Sequence, residues 1–127
     1  MQHDDLRTRI GALTTSVQAF HERFGLVGVC SEEELLSRIP IQDEEVRELE
    51  HAISHETPED VAAEATDVLY VAIGTLHRLD PDLVARALEQ VIQKNDAKTL
   101  RTHHKNDAGK VVRRPLEQPE RAAPQTL

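Results

Sequence analysis

Aromatic side chains are scarce in this 127-residue chain: two Phe, one Tyr and no Trp. Sandwiches and barrels draw on aromatic and β-branched residues, so neither is expected. A stacking platform for single-stranded nucleic acid needs rings and is excluded on the same ground. Cysteine is limited to Cys30, which rules out an internal disulfide and a thiolate zinc site. No apolar run approaches the ~20 residues of a membrane span, and the opening MQHDDLRTRI lacks a signal-peptide pattern. Positive charge is in deficit too. Fifteen Lys and Arg against 23 Asp and Glu leave −8, the wrong sign for a general partner of DNA or RNA. A cytoplasmic protein is expected, with neither a nucleic-acid polymer nor a membrane as partner. The length suits one domain with an aliphatic core that buries roughly two-thirds of the unfolded surface.

What charge there is lies unevenly. Residues 31–67 hold thirteen acids and two bases, whereas residues 92–114 hold seven bases and two acids. Crowded carboxylates repel one another unless cations sit among them. The basic end is suited either to offset those acids or to hold an anion.

The chain reads as helices separated by short stops. Leu6, Ile10, Leu13, Val17, Phe20 and Phe24 recur at alternating four- and three-residue steps, one stripe of a helix from Asp5 to Arg23. Gly25 and Gly28 end it. Ser31 stands three residues before Glu34, a capping box, and opens a short helix to Arg38. Pro40 is expected to bend or break the chain, with a further helix over Gln42–Ser54. Thr57-Pro58-Glu59-Asp60 starts a helix to Arg78, and Asp80-Pro81-Asp82 starts one to Ala97 or Leu100. The fold class is therefore all-α, an antiparallel bundle of four to five helices completed by dimerisation. Residues 1–105 form its domain. Residues 106–127 form a basic, flexible segment whose last dozen residues are a mobile tail.

The Pro58 helix carries the most informative residues. VAAEATDVLYVAIGTL is apolar on nearly every side, the pattern of a buried, central helix. Its only charges are Glu64 and Asp67, three apart and pointing the same way. Buried carboxylates are costly unless paired, protonated or metal-bound. Pairing with Arg47 or Arg78, or a helix edge that reaches water, would also account for them. In IQDEEVRELE, Glu44, Glu45 and Glu48 form one patch beside the stripe of Val46, Leu49 and Ile53. Alone this reads as a solvated acidic face. Two antiparallel helices joined by a short turn pack about 8–10 Å apart, so both acid sets can close on the same ions. Oxygen-only ligands suit Mg²⁺ or Mn²⁺ rather than zinc or copper.

Glu45-x-x-Glu48, fifteen residues, then Glu64-x-x-Asp67 resembles the ExxE…ExxD signature of the MazG-like all-α nucleoside triphosphate pyrophosphohydrolases. Glu44 extends it to EExxE. VQAFHERFGL, EATDVLYVAIGT, QKNDAK and AGKVVRRP are also similar to that superfamily, above all to a branch related to phosphoribosyl-ATP pyrophosphohydrolase and dimeric dUTP hydrolases. The resemblance covers roughly residues 14–115. It implies Mg²⁺-dependent cleavage between the α- and β-phosphates of a nucleoside triphosphate, with Glu44, Glu45, Glu48, Glu64 and Asp67 as metal ligands. It implies a homodimer or a dimer of dimers. dUTP or a related deoxynucleotide is the favoured substrate and phosphoribosyl-ATP the alternative. Five carboxylates can hold two ions and spare an oxygen for a water's proton, a role assigned to Glu45.

Lys94, Lys98 and Arg101 share one helical face with Asn95 beside them, a row able to reach phosphate oxygens. In the family an asparagine and a lysine lie near the nucleotide, which favours Asn95 and Lys98. Lys110, Arg113 and Arg114 are placed to close over phosphates. The same bases would also suit a helix C-terminus. His51 with His55, and His103 with His104, lack the third ligand of a transition-metal site. Phe20, His21 and Tyr70 read as a base pocket or as core. Two rivals remain. A di-iron oxidase needs a second Glu-x-x-His beside Glu48–His51. A non-enzymatic helical dimerisation or adaptor module leaves Glu64 and Asp67 unexplained.

Overall fold

The structure, a computed structural model, describes residues 3–116. In chain order it contains α1 (His3–Arg23), α2 (Glu32–His55), α3 (Pro58–Leu76), α4 (Pro81–Asp96), β1 (His103–Lys105) and β2 (Val111–Arg113). The tail expected over the last dozen residues lies, from 117 onward, outside the described residues. Two compact units divide the chain, Met1–Ala85 and Arg86–Leu127.

In the first unit the sequence signals for helix starts hold at atomic detail. The Ser31 hydroxyl accepts from the Glu34 N–H at 3.2 Å, and the Ser31 N–H donates to the Glu34 carboxylate at 3.0 Å. Thr57 and Asp60 make the same reciprocal pair at the start of α3, with Pro58 in the first turn. Each box satisfies backbone donors that have no partner within the helix.

Pro40 does not break the chain. A single α2 runs through it, where two helices were expected. Proline removes one helix hydrogen bond and crowds the preceding turn. Side chains on either side of it hold α2 against α3. Arg38 donates to the Thr75 hydroxyl at 2.8 Å and to the Val71 carbonyl at 3.1 Å, and Gln42 donates to the Val68 carbonyl at 3.1 Å. Rising numbers on α2 meet falling numbers on α3, so the two helices are antiparallel.

α1 packs on α3 in the opposite sense, rising numbers meeting rising numbers, so these two helices run parallel. Tyr70 bonds the Ser16 carbonyl at 3.2 Å and meets the Phe20 ring edge-on at 5.9 Å, while His21 lies against Gly74. A Cβ on Gly74 would stand 2.6 Å from His21 Nε2 and 2.8 Å from Arg38 Nη2. Glycine is thus what lets three helices meet there. The base pocket considered for Phe20, His21 and Tyr70 is instead helix packing: the His21 ring is buried, with Nδ1 3.1 Å from the Leu26 carbonyl oxygen. Its pKa is lowered, first by burial.

The all-α expectation holds, but α3 is not buried in a single chain. Gly74 alone in α3 is buried, and Ala62, Ala63, Ala65 and Ala72 are exposed. Val17, Cys30 and Ala52 are the buried apolar side chains among the described residues.

In the second unit, β1 and β2 form an antiparallel hairpin, with His103 opposite Arg113, His104 opposite Val112 and Lys105 opposite Val111. Gly109, at φ 83°, supplies the left-handed turn residue. The Asn106 side-chain oxygen accepts from the N–H groups of Ala108 and Lys110. No sheet was expected, and the domain boundary expected after Lys105 falls at the end of β1.

Candidate functional site

The capping box at Ser31 fixes where α2 starts, and the box at Thr57 fixes the two-residue turn into α3. Register then follows from the Arg38 and Gln42 hydrogen bonds. One turn beyond Gln42, this register sets Glu45 and Glu48 opposite Glu64 and Asp67. Oxygens of Glu44, Glu45 and Glu48 lie within 4.8 Å of one another, and so do oxygens of Glu45, Glu64 and Asp67. Glu45 is shared, so all five expected acids form one continuous cluster. It borders an open cleft of about 700 Å³ that Asp43, Arg47, His51 and Glu56 also line.

Electrostatics mark this cluster as under strain. Burial pushes the Glu45 carboxyl above its ordinary range, and the charges of Glu48, Asp67 and Glu44 push it further. Glu64 is raised by burial, then by Glu48 and Asp67. The arginine considered as a partner is engaged elsewhere. Arg78, buried, donates to the Gly28 carbonyl at 2.8 Å and pairs with Glu34 at 3.2 Å, drawing the Glu34 carboxyl down after the Ser31 backbone does. Arg47 lines the cleft but forms no ion pair within 4.0 Å among the described residues. Acids held together without a cationic partner, with oxygen the only donor, fit a hard divalent ion.

His51 was weighed only as a transition-metal ligand. Its ring stacks on His55 at 4.5 Å, and its Nε2 lies 3.5 Å from a Glu56 oxygen. Its place in the cleft follows from the four-residue step from Arg47. The part played by Glu56 was missed, because a residue in a turn carries no periodic signal.

The expected substrate residues lie in α4 and just after it. Asn95 donates to the Val91 carbonyl at 2.9 Å and accepts from the Lys98 ammonium at 3.0 Å. Lys94 is exposed in the last turn of α4, apart from any ion pair among the described residues. Arg101 is exposed and lines a groove with Arg113 and Arg114.

Residues 31–101 match the family described as phosphoribosyl-ATP pyrophosphohydrolase. That segment is more than half of the chain and contains every one of the nine residues assigned to the site.

The chain belongs to the phosphoribosyl-ATP pyrophosphohydrolase family.

With that family comes membership of the MazG-like superfamily, and the chain is a pyrophosphohydrolase, a hydrolase acting on acid anhydrides. Its activity is of the nucleotide pyrophosphohydrolase type. Family members use a divalent metal, in keeping with the oxygen cluster at Glu45. No curated protein and no solved structure matches the chain. No helix among the described residues is long and apolar enough to cross a membrane.

Proposed function

We propose that this protein is a Mg²⁺-dependent nucleoside triphosphate pyrophosphohydrolase that cleaves the α–β phosphoanhydride in the cytoplasm. The observation that carries the proposal is the pair of carboxylate triads sharing Glu45. Glu44, Glu45, Glu48, Glu64 and Asp67 would hold the ions, with Mn²⁺ as a substitute. A divalent cation held there would screen the phosphates and stabilise the departing pyrophosphate.

The chain's own groups supply the rest. Glu45 takes a proton from the attacking water at a carboxylate oxygen, as its raised affinity for protons suits it to do. Water oxygen bonds to phosphorus, the anhydride bond breaks, and pyrophosphate leaves with the electron pair. Lys98, held by Asn95, meets substrate phosphate oxygens. Lys94 and Arg101 add positive charge for the phosphates.

dUTP or a related deoxynucleotide is the proposed substrate, on the resemblance to dimeric dUTP hydrolases. Phosphoribosyl-ATP is the second reading, favoured by the family that residues 31–101 match. A panel holding both, assayed with Mg²⁺ and Mn²⁺ for pyrophosphate against phosphate, separates them. Pyrophosphate release that vanishes in Asp67→Asn is expected. Release of phosphate alone, or unchanged turnover in Asp67→Asn, would overturn the proposal.

A further inference from the structure

One charged group in the cleft beside the carboxylate cluster is the wrong sign to hold a metal. Arg47 lines that cleft, the sole Lys or Arg to do so among the described residues. Glu44, Arg47, Glu48 and His51 stand three or four positions apart along α2, so they share its cleft face. Glu45 is two positions from Arg47, about 200° around the helix, and its oxygens lie with those of Glu64 and Asp67. Arg47 therefore flanks the cluster, off the face that carries the group assigned to the attacking water.

Arg47 has an acid within helical reach and does not take it. It follows Asp43 by four positions, the order in which an acid and a base on a helix pair best. In α1 the same step joins Arg9 to Asp5 at 3.0 Å. Arg47 forms no such pair among the described residues. Around it the lining is charged. Pro40 is the one apolar residue there among the described residues, and His51, the one ring, is covered on one face by His55 at 4.5 Å and has its Nε2 3.5 Å from Glu56. A nucleobase needs an apolar or aromatic wall, which this cleft lacks. A charged cleft of about 700 Å³ beside acids that fit a hard cation suits the phosphate end of a nucleotide. An unpaired guanidinium there presents a planar fork to phosphate oxygens.

We propose that Arg47 reads the length of the phosphate chain: its guanidinium grips the terminal phosphate of a nucleoside triphosphate, and a nucleoside diphosphate, one phosphate shorter, fails to reach it. The inference rests on the hydrolase reading and deepens it, because it names the residue that selects triphosphates over diphosphates. The terminal phosphate carries the most charge and the most free oxygens of the chain, so it is the best partner for a bidentate donor. The α-phosphate, where water attacks, stays with Glu45. Arg47 is thus a specificity residue, in contact with the departing pyrophosphate and not with the attacked phosphorus.

Hydrolysis of dUTP and of dUDP by the full chain with Mg²⁺ tests this, with phosphoribosyl-ATP and its diphosphate in their place if that is the nucleotide turned over. The parent should favour the triphosphate in kcat/KM by about tenfold or more, the size of one charge-assisted contact. Arg47→Ala should erase that preference, chiefly through a higher KM for the triphosphate, with unchanged circular dichroism. Arg47→Lys, which keeps the charge and loses the fork, should retain part of it. Calorimetry with Mg²⁺ gives a readout free of turnover. In Arg47→Ala the α,β-imido triphosphate should bind about tenfold more weakly, and the α,β-imido diphosphate within about twofold of the parent. Mn²⁺ alone should bind the variant no more weakly than the parent, since the change removes a positive charge. Equal losses for the two nucleotides, or weaker Mn²⁺ binding, would mean that Arg47 acts through the acids, and would overturn the proposal. A parent that does not distinguish triphosphate from diphosphate would overturn it as well. If the parent releases no pyrophosphate from either triphosphate, the hydrolase reading itself falls and this inference with it. Pyrophosphate release with the preference intact in Arg47→Ala defeats this inference alone.

Discussion

Glu64 shows at the scale of one residue how function and stability oppose each other. Burial, then Glu48 and Asp67, hold its carboxyl above the ordinary range. The folded state therefore binds a proton more readily than the unfolded state. By linkage, this favours folding below the unfolded pKa, and the benefit is lost as pH rises through the folded value. Glutamine carries no such penalty. Glu64→Gln should melt at a higher temperature than the parent at pH 7 without metal, with the gap closing toward pH 4. Its hydrolysis should fall about 100-fold or more, as expected when a metal-site group is lost. Thermal scans with a chelator at both pH values check the first claim. An equal or lower melting point at pH 7 would mean that the carboxylate is neutralised in the folded chain. The five acids were legible in the sequence because three- and four-residue steps on two helices fix which side chains share a face. Gly74 was not. Its need is set by His21, 53 positions earlier, and by Arg38 on another helix, and neither contact leaves a local trace.

At the scale of elements, starts were more legible than continuity. Ser31, Thr57 and Pro58 announce their helices through chemistry within three residues. Pro40 misleads for the complementary reason. Its local penalty is real, but the bonds of Arg38 and Gln42 to α3 that outweigh it are 26 to 37 positions away in sequence. The hairpin escaped notice because strands of three residues are too short to show alternation. Asn106 and Gly109 were its only local marks. If tertiary bonds hold α2 straight against a standing cost, relieving that cost should stabilise the protein. Pro40→Ala restores a donor to the helix at the expense of some rigidity in the unfolded chain, for a net gain of about 2 kcal/mol. The midpoint of urea unfolding should rise accordingly. A lower midpoint would show that α2 needs the proline's bend to reach α3 on both sides.

For the molecule as a whole, the apolar surface argues for a second copy. Leu36, Ile53, Leu88 and Ile92 each keep half or more of their surface exposed, whereas three apolar side chains are buried among the described residues. α4 is the plainest case. Val84, Leu88 and Val91 recur at four- and three-residue steps, and Leu88 and Val91 remain half exposed. A stripe of that kind forms in water only when something covers it. Self-association by a two-fold axis is the commonest arrangement that places one patch against its own copy. The chain should therefore run as a dimer, or a dimer of dimers, in light scattering coupled to size-exclusion chromatography. Leu88→Glu should shift it toward monomer, because two carboxylates would face each other across an apolar seam. Turnover of that variant should fall and become concentration-dependent as assembly is regained by mass action. A parent chain that stays monomeric at the highest concentration reached, or a Leu88→Glu variant that still pairs, would place the covering surface elsewhere than on α4.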